Sequence, residues 1–420
     1  MKYIIRSFFI FILFFATAFN SYALDLPNHL VLKTDFKIWE LNPGQMDWFS
    51  DYNKTFFSLF EIKATPSDMP MISDYVKNEG VEGIDVAKIR EYLEFKIAPE
   101  ILREKEDVTI DMDENNNVTF EGNGLYGRYL DIEKAAVMIK NALEQDVEFI
   151  TLPIVRENPV VTVKSDKLKE IGIVELYSSG ETNFANSPSN RINNIKVGLS
   201  RFNGHLIKPG EEFVFGNVLG PVEASTGFKP ELVIKGDRTV PELGGGLCQV
   251  STTAYRAALA GGLPITQRRN HSYAVSYYTP YGLDATVYPP TVDLKFVNDS
   301  PAHILIQTLT IDSKAYYNYY GTKDNREVYM IGPYYSGWLS APAKKVEYTN
   351  KLAPGVTQML GHAVPGLVSS WYRQVIYGET SDGTEKSFLD HIFSKYQARP
   401  DFYAVGAAAP VAEESLENGY

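Results

Sequence analysis

A chain of 420 residues, 44% apolar and 22% charged, holds material for about three domains and is not a disordered polymer. Its 40 basic against 52 acidic side chains leave a net charge of −12, which argues against nucleic acid or an anionic lipid surface as a partner. A single Cys excludes an intramolecular disulfide and a Cys-rich zinc site.

Lys2 and Arg6 form a basic start, Phe8 to Phe19 is apolar except for Thr17, and Ser21-Tyr22-Ala23 presents small residues where a signal peptidase cuts. Residues 1–23 therefore read as a cleavable signal peptide of an exported protein, bound for a periplasm or an extracellular wall. The apolar run is too short to span a bilayer, and no later stretch is long and apolar enough. Export also gives Cys248 a meaning. A lone thiol in an oxidising compartment is buried and inert, paired between chains, or kept for its reactivity.

Residues 24 to about 75 are aromatic-rich without a period. Beyond Gly83 the spacing predicts a helix over Asp85–Phe95, strands Val108–Met112 and Val118–Phe120, a second helix over Ile132–Leu143, and an edge strand over Phe149–Val155. The region 24–177 is thus expected to hold an α+β module. Its string GRYLDIEKAAVMIKNALEQ followed by ITLPIVRENPVV resembles the peptidoglycan-binding domain found upstream of L,D-transpeptidases. The polar stretch 178–189 reads as a linker. A short helix over Ile192–Phe202, a turn at Pro209-Gly210 and a strand over Phe213–Phe215 follow. The segment 311–406 is β-prone and rich in glycine, and resembles the small all-β module called the G-five domain. Residues 407–420 read as a disordered tail.

Gly244-Gly245-Gly246-Leu247-Cys248-Gln249 runs into an Ala-rich helix that ends at Gly261-Gly262. Its small side chains at 254, 257, 258 and 260 suit close packing on a sheet. Cys248 would sit at the helix amino terminus, where unpaired N–H groups and the helix dipole favour a thiolate. The glycines would let the backbone approach a substrate, and the N–H groups at Gly245, Gly246 and Gln249 are candidates to hold an oxyanion. An inert buried Cys at a tight turn is the competing reading. His271, just beyond the helix at the start of an expected strand to Tyr278, is the candidate base in preference to His205 and His303. Asp284 is the candidate to orient it. Were residues 272–290 a plain hairpin, His271 and Asp284 would stand about 20 Å apart, so a triad requires the chain to bend near Tyr277–Gly282. Arg269, Ser272 and Tyr278 are candidate substrate contacts. No HExxH or close His and carboxylate cluster appears, so neither metal nor cofactor is expected.

The strings IKPGEEFVFGNVLGP, GGGLCQVSTTAYRAAL, RNHSYAVSYY, YGLDATV and VDLKFVN, in that order over about residues 190–310, closely resemble the VanW domain, named for a protein encoded with vancomycin resistance. The resemblance implies a β-rich domain with one central Ala-rich helix. Some proteins with this domain act as L,D-transpeptidases through the Cys of the GGG-x-C-Q motif, here Cys248. Leu283 departs from the pattern, standing before Asp284 where a basic residue is expected. The whole chain is therefore expected to be a multidomain α+β protein, a cell-wall acyltransferase acting on peptidoglycan stem peptides. A stem endopeptidase, with water as acceptor, and a non-catalytic peptidoglycan-binding protein are the alternatives.

Overall fold

The computed structural model of the chain describes residues 29–34, 36–48, 83–235, 238–379 and 385–407. The expected signal peptide, most of the aromatic-rich segment after it, and nearly all of the expected tail lie outside the described residues. The described chain is mixed α+β and strand-rich, with few helices and several small sheets. Its residues fall into two units, one holding those up to 104 and 128–156, the other 105–127 and those from 157 onward. The stretch expected as one α+β module is thus shared between them.

In the first unit, Asp85 accepts hydrogen bonds from the Ala87 and Lys88 N–H groups and so starts the helix Val86–Tyr92. The helix continues through a wide turn at Leu93–Ile97 to Ile101. Ile89, Leu93, Ile97 and Ile101 recur every fourth residue and are all buried. The second expected helix forms over Ile132–Glu144, capped by Asp131, with Ala135, Ile139 and Leu143 inward. Both share a core with the sheet of Ile38–Leu41, Leu30–Lys33 and Phe149–Thr151. The strand expected over Phe149–Val155 is two strands, Phe149–Thr151 and Ile154–Glu157, because Pro153 between them has no N–H to continue a ladder.

The second unit is organised on an antiparallel sheet in the order Leu206–Ile207, Ile304–Ile311, Lys314–Gly321, Glu175–Asn183. The last of these strands corrects the linker expected at 178–189, whose first half is strand and whose end opens the helix Ser189–Ser200. The polarity that suggested a linker serves the helix Leu247–Ala260, which lies on the sheet. Ser178 Oγ donates to the Ala257 carbonyl at 2.9 Å, and the Thr182 and Thr253 hydroxyls meet at 2.7 Å. A Cβ at Gly180 would lie 2.4 Å from both Ala257 N and Thr253 O, so the missing side chain sets the closeness of helix to strand. Ala254, Ala257 and Ala258 are fully buried in that contact.

The hairpin of Ile304–Ile311 and Lys314–Gly321 spans the boundary expected after 310, so the central sheet runs on to Gly321. Beyond it the described residues are all β: Glu327–Leu339, Gly366–Glu379 and Glu385–Tyr396 form one sheet, and Lys345–Thr349, Phe402–Gly406 and Thr357–Gly361 another. Trp371 and Ile392 from the first of these share one core with Val250, Ala254 and Leu283.

Candidate functional site

The hairpin Pro230–Lys235 and Arg238–Leu243 delivers the chain to Gly244. Gly244 and Gly246 take φ of 83° and 117°, a left-handed backbone that glycine adopts without strain. A Cβ at Gly245 would lie 2.9 Å from the backbone of Glu231, and one at Gly244 would meet Val222 and Leu247. The glycines therefore let the turn pack against its own protein. The helix opens at Leu247 with no side-chain cap, so Cys248 is its second residue. The Gln249 N–H donates to the Gly246 carbonyl at 2.9 Å, and the buried Gln249 amide bonds Arg191 and the Asn183 carbonyl. Gln249 is thus removed from the expected oxyanion donors. The N–H groups of Gly246 and Cys248 have no acceptor among the described residues.

His271 does not begin a strand. Residues 271–284 form an irregular loop with one short turn at Ser276–Tyr278, and its two ends run side by side. The Thr286 N–H donates to the Arg269 carbonyl at 2.8 Å, and Arg268 donates to the carbonyls of Gly282 at 2.9 Å and Asp284 at 2.6 Å. This closure achieves the bend that a hairpin forbids. His271 Nδ1 lies 2.5 Å from Asp284 Oδ2, which also accepts from the His271 backbone N–H at 2.8 Å. Nδ1 being engaged, Nε2 is the nitrogen left to act on the Cys248 thiol, whose pKa His271 lowers. The ring of Tyr278 stacks on His271 with centroids 4.9 Å apart. The Thr286 hydroxyl stands 3.4 Å from Cys248 Sγ.

Asp284 is 2% exposed, and its second oxygen is clamped by Arg268 at 3.2 Å and by the Tyr396 hydroxyl at 2.5 Å. Burial opposes its charge, but the bonds to His271, Arg268 and Tyr396 hold the carboxyl well below the usual range. Burial likewise disfavours an imidazolium at His271, yet Asp284 and the thiolate reverse this and raise it to about 9. Cys248 is pushed up by burial and pulled down further by His271 and the Thr286 hydroxyl, ending at about 7. The pair is therefore a thiolate and an imidazolium near neutrality.

Of the expected substrate contacts, Arg269 and Ser272 are exposed, while Tyr278 is buried as the wall behind His271. His205 packs edge-on to Phe213, and the His303 backbone N–H bonds the Ile171 carbonyl. Leu283 is a buried core residue. Sequence reasoning missed Arg191, Arg268, Thr286 and Tyr396. Thr286 sits two residues after Asp284 and carried a local signal, whereas Tyr396 comes from a distant strand and carried none. No group of His, Cys, Asp and Glu suited to a metal ion occurs among the described residues, and no described helix is long and apolar enough to cross a membrane.

Residues 190–320 match the family model described as VanW like protein. Over 127 residues, 30% of this chain, it is 36% identical to the protein YoaR of Bacillus subtilis, and over 147 residues, 34% of the chain, 30% identical to the vancomycin B-type resistance protein VanW of Enterococcus faecalis. The chain spans 41% and 53% of these two relatives, about half their length or less. The loop that closes Cys248, His271 and Asp284 into one site thus lies inside a VanW-family domain at residues 190–320.

Proposed function

We propose that this protein is an exported cell-wall enzyme, a cysteine acyltransferase that acts on peptidoglycan stem peptides. The observation that carries the reading is the series Cys248, His271, Asp284 at a helix amino terminus, with Asp284 bonded to the imidazole and the imidazole stabilising the thiolate. The Cys248 thiolate adds to a peptide carbonyl, and the developing oxyanion falls to the N–H groups of Cys248 and Gly246. His271 Nε2 gives its proton to the departing amine as the C–N bond breaks and the thioester remains. An amine of a second stem then attacks the thioester, His271 takes up its proton, and the thiolate is restored. Asp284 holds the imidazole in the required tautomer throughout. The name of the Enterococcus relative, a resistance protein, agrees with an action on the wall. Incubating the protein with purified stem peptides and weighing the products tests this. Cross-linked dimers absent with Cys248→Ala are expected, shortened monomers would make water the acceptor, and unchanged peptides would defeat the enzymatic reading.

A further inference from the structure

Arg191 stands in the first turn of the helix Ser189–Ser200, with its side chain along the turn that carries Cys248. Its Cγ lies 3.2 Å from where a Gly246 Cβ would be, and its Nη2 donates to Gln249 Oε1 at 2.8 Å. The guanidinium arm therefore touches the residues on both sides of Leu247-Cys248. Nη1 donates to Ser187 Oγ at 2.5 Å, the Tyr278 hydroxyl is a further partner, and the ring of Tyr277 lies 4.1 Å beneath the cation. Tyr278 is the ring stacked on His271, so the arm reaches the wall of the site.

All these partners are neutral. No carboxylate stands within ion-pair distance of Arg191 among the described residues. Three other guanidinium groups of this unit are matched: Arg268 by Asp284, Arg326 by Asp299 and Asp324, Arg373 by Asp390. Arg191 is half-buried and meets no counter-charge among the described residues, so an anion that docks there finds a cation not yet neutralised. Ser187 and Gln249 take two of the five N–H groups of Arg191, and at least the two that a carboxylate takes remain.

We infer that Arg191 is the receptor for a carboxylate on the acyl donor and so determines which peptide bond is opened. A carboxylate held beside Cys248 fits a donor whose terminal residue is the leaving group. The amide before that residue breaks, its nitrogen takes the proton from His271, and an amino acid with a free carboxylate departs. This part rests on the acyl-transfer reading and makes the enzyme one that trims or exchanges stem ends; the anion site itself does not depend on it.

The test reads the two apart. Iodoacetate and iodoacetamide alkylate the same thiol and differ by one carboxylate, so their rate ratio at Cys248 reports the anion site without any turnover. The ratio is expected to fall at least about tenfold in Arg191→Gln, the scale of a lost charged hydrogen bond, and to recover in part in Arg191→Lys. A ratio unchanged by Arg191→Gln overturns the inference. With stem peptides, the wild type is expected to turn over a free terminal carboxylate in preference to the terminal amide, and Arg191→Gln to lose that preference. Equal turnover of acid and amide by the wild type overturns the substrate assignment. A fallen alkylation ratio with no turnover of either peptide keeps the anion site and rejects acyl transfer.

Discussion

Cys248 and His271 set a window of pH between them. Below about 7 the thiol is protonated and cannot attack; above about 9 the imidazole is neutral and cannot give a proton to the leaving amine. Alkylation by iodoacetamide needs the thiolate alone, so its rate is expected to rise through about pH 7 and level off, well below the ~8.5 of a free thiol. Labelling confined to denatured protein would restore the inert-cysteine reading. Acyl transfer needs both groups, so its profile is expected to be a bell with limbs near 7 and 9. His271→Ala removes the partner that overcomes burial, and the alkylation midpoint is expected to move up to ~8.5 or beyond, with turnover lower by about 10²–10⁴. Asp284→Asn deprives the imidazolium of its anion, so the alkaline limb is expected to move down toward ~6.5 and narrow the bell from above.

The central helix is seated by small and hydroxyl side chains, and Gly180 is its tightest point. A side chain there meets Ala257 N and Thr253 O, backbone atoms that cannot step aside. Gly180→Val is expected to cost at least about 1–3 kcal/mol, read as a lowered urea midpoint. The same strand explains where sequence reading failed. Glycine and serine between 178 and 183 look like a linker when hydroxyls are imagined facing water, yet Ser178 and Thr182 face helix carbonyls and hydroxyls instead. Limited proteolysis is accordingly expected to leave 175–183 uncut. The helix itself was legible, because Ala-rich spacing and the glycine stop are local signals. The pairing of His271 with Asp284 was legible only as a requirement, since the closure depends on Arg268, whose partners span residues 282 to 394.

At the scale of the whole molecule, the site extends past the family-matched residues. Tyr396, on the strand Glu385–Tyr396, donates to Asp284 and accepts from the Gly282 N–H at 2.8 Å, and Ser394 accepts from Arg268 at 2.9 Å. Tyr396→Phe removes one of the two clamps on the second oxygen of the carboxylate that aims His271. The expected result is a kcat lower by about tenfold with KM nearly unchanged, and a stability loss of about 1 kcal/mol in urea. A fall in stability with full kcat would make Tyr396 a packing residue only. The position of this strand also bears on timing. A polypeptide made from its amino terminus leaves the ribosome with Cys248 well ahead of Tyr396, so the clamp on Asp284 is the last component to arrive. A chain that has not yet placed this strand lacks the Tyr396 bond to Asp284 and the Ser394 bond to Arg268, so its His271 is held less firmly. The late strand thus completes the support of a site whose reacting groups, Cys248, His271 and Asp284, all precede it in the chain.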